Sequence, residues 1–381
     1  MKQKFKDFIS ATSQIDLKCF SDNLRQLIFN NTSSQEDPKD LFTGIDMLIK
    51  YSYLKDRLQY DSKLLINPED PSTYKDISTP WSETIENWLK DLLSTNTNSN
   101  KFDPFTYIFG IILKKETKCI DITGYPTTNP DAIISRTYEL EFSLNIDFYK
   151  SDTFTSMQDV IDDYFSQSEQ FDPISSVNCK EAKRKTEYIP GGRYLLIELK
   201  NIFQGMNDKS LTSKIVPDTE DNFKNNTLKI IVNGNTYYLK SFIVHQGSSA
   251  NSGHYISYKN IDTNPNSNHT DWYQLNDATP TSTDVNSIFT KFQTIDWTNE
   301  TPIIYLYELD MSVANTIFEN VDTINRDWFN SKNWKNQILT SAAGNIIGFT
   351  NNDNRCFFNS LMQLFLSNKQ LIKYYTEDDY D

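Results

Sequence analysis

The chain has 381 residues, of which 38% are hydrophobic and 23% are charged, so it can bury a substantial core. Its formal net charge of −14 argues against nucleic acid and against an anionic membrane as its main partner, because both would be repelled. No apolar run approaches the roughly 20 residues of a membrane helix, and no apolar segment follows the basic N-terminus as in a signal peptide. We therefore predict a cytoplasmic monomer whose partners are proteins.

Helical periodicity dominates the start of the chain, and strand-like alternation dominates its middle. Helices are predicted at 16–30, 33–54, 80–94 and 153–167. Strands are predicted at 104–120, 136–147, 192–203, 227–247, 252–260, 271–277 and 301–309. The strand at 227–247 is split by Asn233-Gly234, a dipeptide that is typical of a tight hairpin turn.

The four cysteines, Cys19, Cys119, Cys179 and Cys356, are far apart and form no CxxC pair. This pattern is typical of a reducing compartment rather than of a scaffold held by disulfides. Cys119 and Cys179 are predicted to be small buried hydrophobic side chains. Cys356 differs from them because it lies between the polar loop TNNDN and the apolar segment FFNSLMQLF.

Cys356 begins a helical pattern with apolar residues at Phe357, Leu361, Leu364 and Phe365. A thiol attacks a carbonyl only as the thiolate, which the N-terminus of a helix and a nearby imidazole both favour. The preceding loop offers side-chain amides and backbone N–H groups to an oxyanion. The same pattern is compatible with a cysteine that merely packs at the start of a helix.

His254 is the candidate base among only three histidines, the others being His245 and His269. It stands where a glycine-punctuated loop enters a predicted strand, a junction that gives an imidazole both exposure and a fixed orientation. Asn276 and Asp277 lie on the next predicted strand and are candidates for orienting the ring, as the third member of a Cys–His–Asn/Asp set does. Taken singly, His254 is compatible with an ordinary strand histidine, and Asn276-Asp277 with a turn.

The cysteine segment reads GFTNNDNRCFFNSLMQL from position 348, and the histidine segments read HQG from 245, GHYISY from 253 and WYQLND from 272. They resemble the two boxes of the ubiquitin-specific protease family of cysteine deubiquitinases. The family's cysteine box runs roughly G-L-x-N-x-G-N-T-C-Y-x-N-S-x-L-Q-x-L, and its histidine box H-x-G, G-H-Y-x-x-Y and W-Y-x-F-N/D-D. Two long motifs with the correct internal spacing are specific, and weaker resemblances extend over nearly the whole chain.

The resemblance implies a papain-like α+β fold with a helical thumb and a β-rich palm and fingers. It implies hydrolysis of isopeptide or peptide bonds after the C-terminal glycine of ubiquitin, through a thioester, with ubiquitin or ubiquitinated proteins as partners. The catalytic residues carried over are the nucleophile Cys356, the base His254, the third member Asn276, Asp277 sharing or replacing it, and the oxyanion-stabilising Asn351. The residues carried over for the substrate tail are Gln35, Asp37, Gly253 and Tyr255.

The order of the two boxes is the reverse of the family order, in which the cysteine box comes first. A circular permutation explains this, because joining the end of the chain to its beginning restores the family order. The predicted single catalytic domain then comprises thumb helices at 1–100, fingers and palm with the histidine box at 101–309, a connector at 310–346, and the cysteine box with its helix at 347–381. A cut tandem array and a swapped dimer are the alternatives.

Two departures from the family pattern bear on function. Asp353 replaces the glycine of the cysteine box and adds negative charge near the thiolate, which Arg355 is expected to offset. Cys119 and Cys179 represent one cysteine from each usual finger CxxC, so four ligands are not available, and we predict no metal site and no cofactor. Two other functions stay open: a module that binds ubiquitin without cleaving it, and a protease for another ubiquitin-like modifier.

Overall fold

A computed structural model describes thirteen parts of the chain, namely residues 38–45, 108–121, 133–148, 152–171, 181–190, 192–200, 213–249, 252–261, 271–297, 299–310, 349, 351 and 356–367. The helices predicted at 16–30 and 80–94 lie outside the described residues, as does nearly all of the predicted connector. Of the helix predicted at 33–54, residues 38–45 are described, and they are helical.

A small antiparallel sheet forms in the segment that was expected to contain the fingers. Its order is β2-β1-β6-β5, with β1 (Ile111–Asp121), β2 (Ile133–Glu141), β5 (Ser168–Phe171) and β6 (Glu181–Pro190). Ion pairs join its strands, such as Lys114 to Glu187 at 2.9 Å and Arg136 to Glu116 at 2.7 Å. These pairs are substantially exposed, so they contribute little to stability.

A large sheet forms the centre of the described fold. Its strands are β3 (Leu144–Asp147), β7 (Tyr194–Lys200), β9 (Lys229–Val232), β10 (Asn235–Ser249), β11 (Ser252–Asn260), β12 (Trp272–Asn276), β13 (Thr279–Thr283) and β14 (Glu300–Leu309). The order is β13-β12-β11-β10-β14-β7-β3, with β9 also paired to β10. All pairings are antiparallel except that of β3 with β7. The short strands β4 (Thr153–Phe154) and β8 (Lys214–Ile215) form a separate parallel pair.

Polar side chains define where three short helices begin. The helices are α1 (Met157–Ser166), α2 (Glu220–Asn226) and α3 (Val285–Thr294). Ser156, Thr219 and Asp284 precede them, and each accepts a hydrogen bond from a backbone N–H in the first turn. Such N-caps satisfy donors that a helix leaves unpaired at its start.

The helix that begins at the cysteine, α4 (Cys356–Phe365), is buried along its whole length. Its sequence is apolar around most of its circumference, which is typical of a helix enclosed by protein rather than one lying at a surface. It packs mainly against β11, and its end contacts other aromatic side chains. The ring of Phe365 lies 6.1 Å from Phe42 and 6.0 Å from Phe109.

The large sheet lies between α3 and α4. Phe242 of β10 stacks on Tyr258 of β11 at 4.6 Å and contacts Phe292 of α3 at 5.6 Å. The neighbouring side chain, Lys259, instead reaches the end of α4, where its Nζ donates to the Leu366 carbonyl at 3.0 Å. Because successive strand residues point to opposite faces, these contacts assign the two helices to the two sides of β11.

Several strand predictions are confirmed, and others need correction. Asn233 and Gly234 have positive φ angles of 49° and 77°, as a tight hairpin turn between β9 and β10 requires. The strand predicted at 104–120 begins only at 111, because 108 and 109 are helical. The strand predicted at 136–147 is two strands in different sheets, β2 and β3. Buried Phe142 and Ser143 lie at the break, so the apolar pattern continues across it.

The prediction for Cys119 was wrong in one respect. Cys119 is buried as expected, but it is disulfide-bonded. Among the described cysteines Cys356 is free, so the disulfide partner lies outside the described residues. The spacing of the cysteines in sequence gave no indication of this bond, because a disulfide depends on which strands the fold brings together.

The described residues contain no helix that is both long and apolar enough to cross a membrane.

A buried ionic cluster connects β14 to β10 and to the residue before β7. Glu308 accepts hydrogen bonds from Arg193 at 2.7 Å and from the Tyr194 hydroxyl at 3.2 Å, and Lys240 Nζ lies 3.3 Å from its other oxygen. Burial by itself raises the pKa of the carboxyl, but Arg193 and Lys240 outweigh it and lower the pKa of Glu308 from 4.5 to about 2. The carboxylate therefore stabilises the fold above pH 4.5, and this stabilisation is lost as the pH falls through 2.

Replacing Glu308 by Gln would leave Arg193 and Lys240 without their counter-charge. We expect the free energy of unfolding to fall by about 3 kcal/mol in urea titrations at pH 7. The control Glu187→Gln breaks the exposed contact to Lys114 and should cost less than about 1 kcal/mol. Equal losses in the two variants would contradict a stabilising role for the buried cluster.

Candidate active site

His254 stands near the beginning of β11, next to an irregularity in the pairing with β10. It pairs with Gln246, and the register shifts just beyond this pair. Gly253 is required there, because a Cβ on it would lie 2.4 Å from His245 Nε2 and 2.5 Å from the Gln246 carbonyl oxygen. The chain entering β11 thus packs closely against β10 at Gly253. This contact fixes the position of the neighbouring residue, His254, at the start of the strand.

Cys356 is the first residue of α4, and its thiol is hydrogen-bonded to the imidazole of His254. The fold therefore joins a potential nucleophile and a potential base that are distant in the sequence. Both side chains belong to the same chain.

The His254 ring also contacts the end of β12 and the turn that follows. Nε2 lies 2.7 Å from Asn276 Oδ1 and 3.7 Å from Asp277 Oδ2. The pKa of His254 is raised from 6.5 to about 9, and the largest cause is the hydrogen bond with Cys356. Burial lowers the pKa, whereas the hydrogen bond with Asn276 and the charges of Cys356 and Asp277 raise it further. The raised pKa favours the protonated ring, in which Nε2 donates to Asn276.

Asp277 connects the turn after β12 to the cysteine segment by three hydrogen bonds. Its Oδ2 accepts from Asn351 Nδ2 at 2.8 Å, and its Oδ1 accepts from Asn359 Nδ2 at 2.9 Å. Its backbone carbonyl accepts from the N–H of Phe349 at 2.8 Å. One residue thus contacts the segment before α4, the helix itself and, at longer range, the imidazolium of His254.

The backbone of Asp277 has a φ of 46°, in the left-handed region that few residue types adopt readily. Asp and Asn are the side-chain-bearing residues that tolerate this conformation best. Two requirements therefore restrict the residue type at position 277. The turn favours Asp or Asn, and the side chains of Asn351 and Asn359 need two acceptor oxygens, which only Asp provides.

The remaining predicted site residues have different positions. Gly253 packs against His245, and Tyr255 is buried with its ring 4.9 Å from the His245 ring. Gln35 and Asp37 lie outside the described residues. In the described parts of the chain there is no group of three or more His, Cys, Asp or Glu side chains that could hold a metal ion.

Asn359 is a site residue that the sequence analysis did not single out. It lies three positions after Cys356 in α4, a spacing that puts two side chains on the same face of a helix. A polar residue at this spacing within an apolar helix was therefore an available signal. Its partner Asp277 became evident only when the fold brought the two segments together.

The contacts of His254 lead to a prediction about its titration. NMR of the three imidazoles should show one group that titrates near pH 9. Cys356→Ala removes the largest cause of the raised pKa, so the pKa of His254 should fall further in this variant than in Asn276→Ala. His254→Ala identifies the signal by its loss. A titration of His254 that is the same in wild type and Cys356→Ala would contradict the hydrogen bond.

The contacts of Asp277 lead to a second prediction. Asp277→Asn preserves the left-handed turn but provides one acceptor oxygen where Asn351 and Asn359 need two. We expect Cys356 to react with iodoacetamide about tenfold more slowly at pH 7, which corresponds to one lost hydrogen bond to a charged group. The control is Asp271→Asn, a change at an exposed residue before β12. The idea fails if both variants react at the wild-type rate.

Several solved structures are similar to this chain. They include the yeast SAGA DUB module with an Sgf73 mutant (17% identity, TM-score 0.37, covering 54% of this chain and 42% of that one). They also include the SAGA DUB module bound to monoubiquitin (14% identity, TM-score 0.41, covering 81% of this chain and 70% of that one). A third is the Ubp8/Sgf11/Sus1/Sgf73 module bound to ubiquitin aldehyde (16% identity, TM-score 0.41, covering 80% of this chain and 70% of that one). The chain thus spans less than half the length of the first of these relatives. No curated protein sequence matched significantly.

A protein-family comparison provides the assignment. The family model described as ubiquitin carboxyl-terminal hydrolase matches residues 3–307, which include His254, Asn276 and Asp277. This match confirms the predicted family and its papain-like α+β fold class. The chain belongs to the ubiquitin carboxyl-terminal hydrolase family.

Proposed function

We propose that the chain is a thiol-dependent deubiquitinase that hydrolyses isopeptide or peptide bonds after the C-terminal glycine of ubiquitin. The observation that carries this proposal is the continuous set of contacts from Cys356 to His254 to Asn276. A thiolate at a helix start, an imidazolium beside it and an amide that fixes the ring are the components of cysteine-protease chemistry. Family membership supports ubiquitin as the substrate.

In the first step the thiolate of Cys356 attacks the carbonyl carbon of the terminal glycine. The tetrahedral oxyanion collapses, and the carbon–nitrogen bond breaks while His254 gives its proton to the departing amine. A thioester on Cys356 and a neutral imidazole remain. The imidazolium required at the start is supported by the raised pKa of His254.

In the second step neutral His254 takes a proton from water, and the resulting hydroxide attacks the thioester carbonyl. The carbon–sulfur bond breaks, which releases the glycine carboxylic acid and restores the thiolate–imidazolium pair; the acid then loses its proton to solvent. Asn276 keeps the ring oriented through both steps by accepting from Nε2. The reaction needs no metal and no cofactor in this scheme.

The oxyanion of both steps requires hydrogen-bond donors. We assign this role to the side-chain amide of Asn351 and to the backbone N–H groups at the start of α4. One N–H of the Asn351 amide is directed to Asp277, and an amide carries two. Asp277 then acts as a positioning residue, because it orients Asn351 and Asn359 rather than touching the substrate.

We also propose that the chain is a circular permutation of the family's order of segments. The family model matches residues 3–307 and stops before the cysteine box at 348–364. A match of this extent is expected when the cysteine box has moved from the front of a colinear sequence to its end. The contact between Cys356 and His254 of one chain supports permutation over a cut tandem array.

The test is incubation with ubiquitin that carries a C-terminal thiol-reactive group, and separately with ubiquitin joined to lysine through an isopeptide bond. Wild type should form a covalent adduct and release ubiquitin, Cys356→Ala should do neither, and His254→Ala should slow the reaction at least about a hundredfold. A folded wild type that binds ubiquitin without reacting would favour a binding module. Reaction only with other modifiers would redirect the substrate assignment.

A mixing experiment tests whether the site is completed within one chain. Equal amounts of Cys356→Ala and His254→Ala should stay inactive together, because each chain lacks one member of its own site. If activity reappears on mixing, Cys356 of one chain serves His254 of another, and the swapped dimer is correct. Light scattering on the same samples measures the oligomeric state.

A further inference from the structure

The cysteine helix α4 and the histidine strand β11 run side by side in the same direction. At the start of both elements His254 meets Cys356, and at their ends Lys259 meets Leu366. The strand rises about 17 Å over these five steps and the helix about 15 Å over its ten, so the two lengths match. One strand therefore contacts the helix through polar side chains at both of its ends.

Lys259 is buried, and its ammonium donates to the Leu366 carbonyl at 3.0 Å. The carbonyls at the end of a helix have no partner within the helix, and they carry partial negative charge. At the same helix end, Ser367 donates its backbone N–H to the Leu364 carbonyl. Its hydroxyl donates to the Gln363 carbonyl. Lys259 thus supplies the only full charge among the contacts described at this helix end.

Apolar packing alone does not define the position of α4 along its axis. Hydrophobic contact is non-directional, and the buried surface of α4 is apolar for most of its length. A slip of one residue would move the helix about 1.5 Å and rotate it by about 100°, which would remove Cys356 from His254. Directional contacts at the two ends prevent such a slip: Asp277 through Asn359 near the start, and Lys259 at the end.

We propose that Lys259 is a positioning residue for the thiol: by binding the last turn of α4 to β11, it keeps Cys356 in hydrogen-bonding register with His254. The inference rests on the proposed deubiquitinase function for its consequence in catalysis, but not for the contact itself. Lys259 touches neither the substrate nor the reacting atoms. It acts over the length of the helix through the relative position of two secondary-structure elements.

Ser257 lies two residues before Lys259 in β11. It is fully buried, and by strand alternation it lies on the same face of β11 as Lys259. Its side chain is small, and β11 is the strand against which α4 packs. The strand therefore presents a small residue and, two positions later, a long cation on the side of the sheet where α4 lies.

The experiment compares Lys259→Met, which removes the charge and the donors, with Lys259→Arg, which keeps both. Lys214→Met, at an exposed lysine of β8, is the matched control. We expect Lys259→Met to slow reaction with the ubiquitin probe about tenfold or more, to speed hydrogen exchange in α4, and to lower the NMR titration point of His254. Lys259→Arg should restore all three readouts, and Lys214→Met should leave them unchanged.

The His254 titration distinguishes positioning from general stability, since a merely destabilised protein would keep the His254 titration point of wild type while folded. If Lys259→Met does not fold, Lys259→Gln keeps a donor without the charge and is measured instead. An unchanged His254 titration and unchanged α4 exchange in the folded neutral variant would overturn the proposal, as would a Lys259→Arg variant as impaired as Lys259→Met. If wild type ignores ubiquitin, the deubiquitinase function fails, while the exchange and titration readouts still decide the role of Lys259.

Discussion

The arrangement of the site depends on the hydrogen bonds that the carboxylate of Asp277 accepts. This carboxylate lies in a turn of the histidine segment, yet its two oxygens accept from two asparagines of the cysteine segment. These two segments are joined by no short loop, so non-covalent contacts alone decide how they meet. A carboxylate with one donor on each oxygen has a defined orientation, which apolar packing does not provide. The same charge lies near the imidazolium of His254 and favours its protonated form.

The large sheet gives this interaction a rigid base. Phe242, Tyr258 and Trp272 form an aromatic cluster on the α3 side of the sheet, and α4 occupies the other side. Strand β11 lies in the middle of these layers, so its residues have little freedom to move. His254 begins this strand and Lys259 lies near its end. The nucleophile and the base thus lie at the starts of a helix and a strand of the packed core, which suits chemistry that depends on short distances.

Most residues of the candidate site could be singled out from the sequence, although Asn359 was not, because chemistry restricts them to short patterns. A cysteine at a helix start, a histidine after Gly253 and Asn276-Asp277 before a turn keep their spacing within one segment. The break between β2 and β3 could not be predicted, since buried residues continue across it. The disulfide of Cys119 and the role of Lys259 were also hidden, because each depends on a partner in a distant segment.

The sequence by itself determined the family, the candidate nucleophile and base, and the reversed order of their motifs, because these are properties of residue types and spacing along one chain. Only the tertiary structure decided that Asp277 holds two asparagines, that Asn276 is the direct partner of the His254 ring, and that Lys259 contacts the end of α4. The physical reason is that hydrogen bonds require distances near 3 Å and specific directions. Residues far apart in the chain reach such distances only when packing of the sheet and helices has fixed their positions.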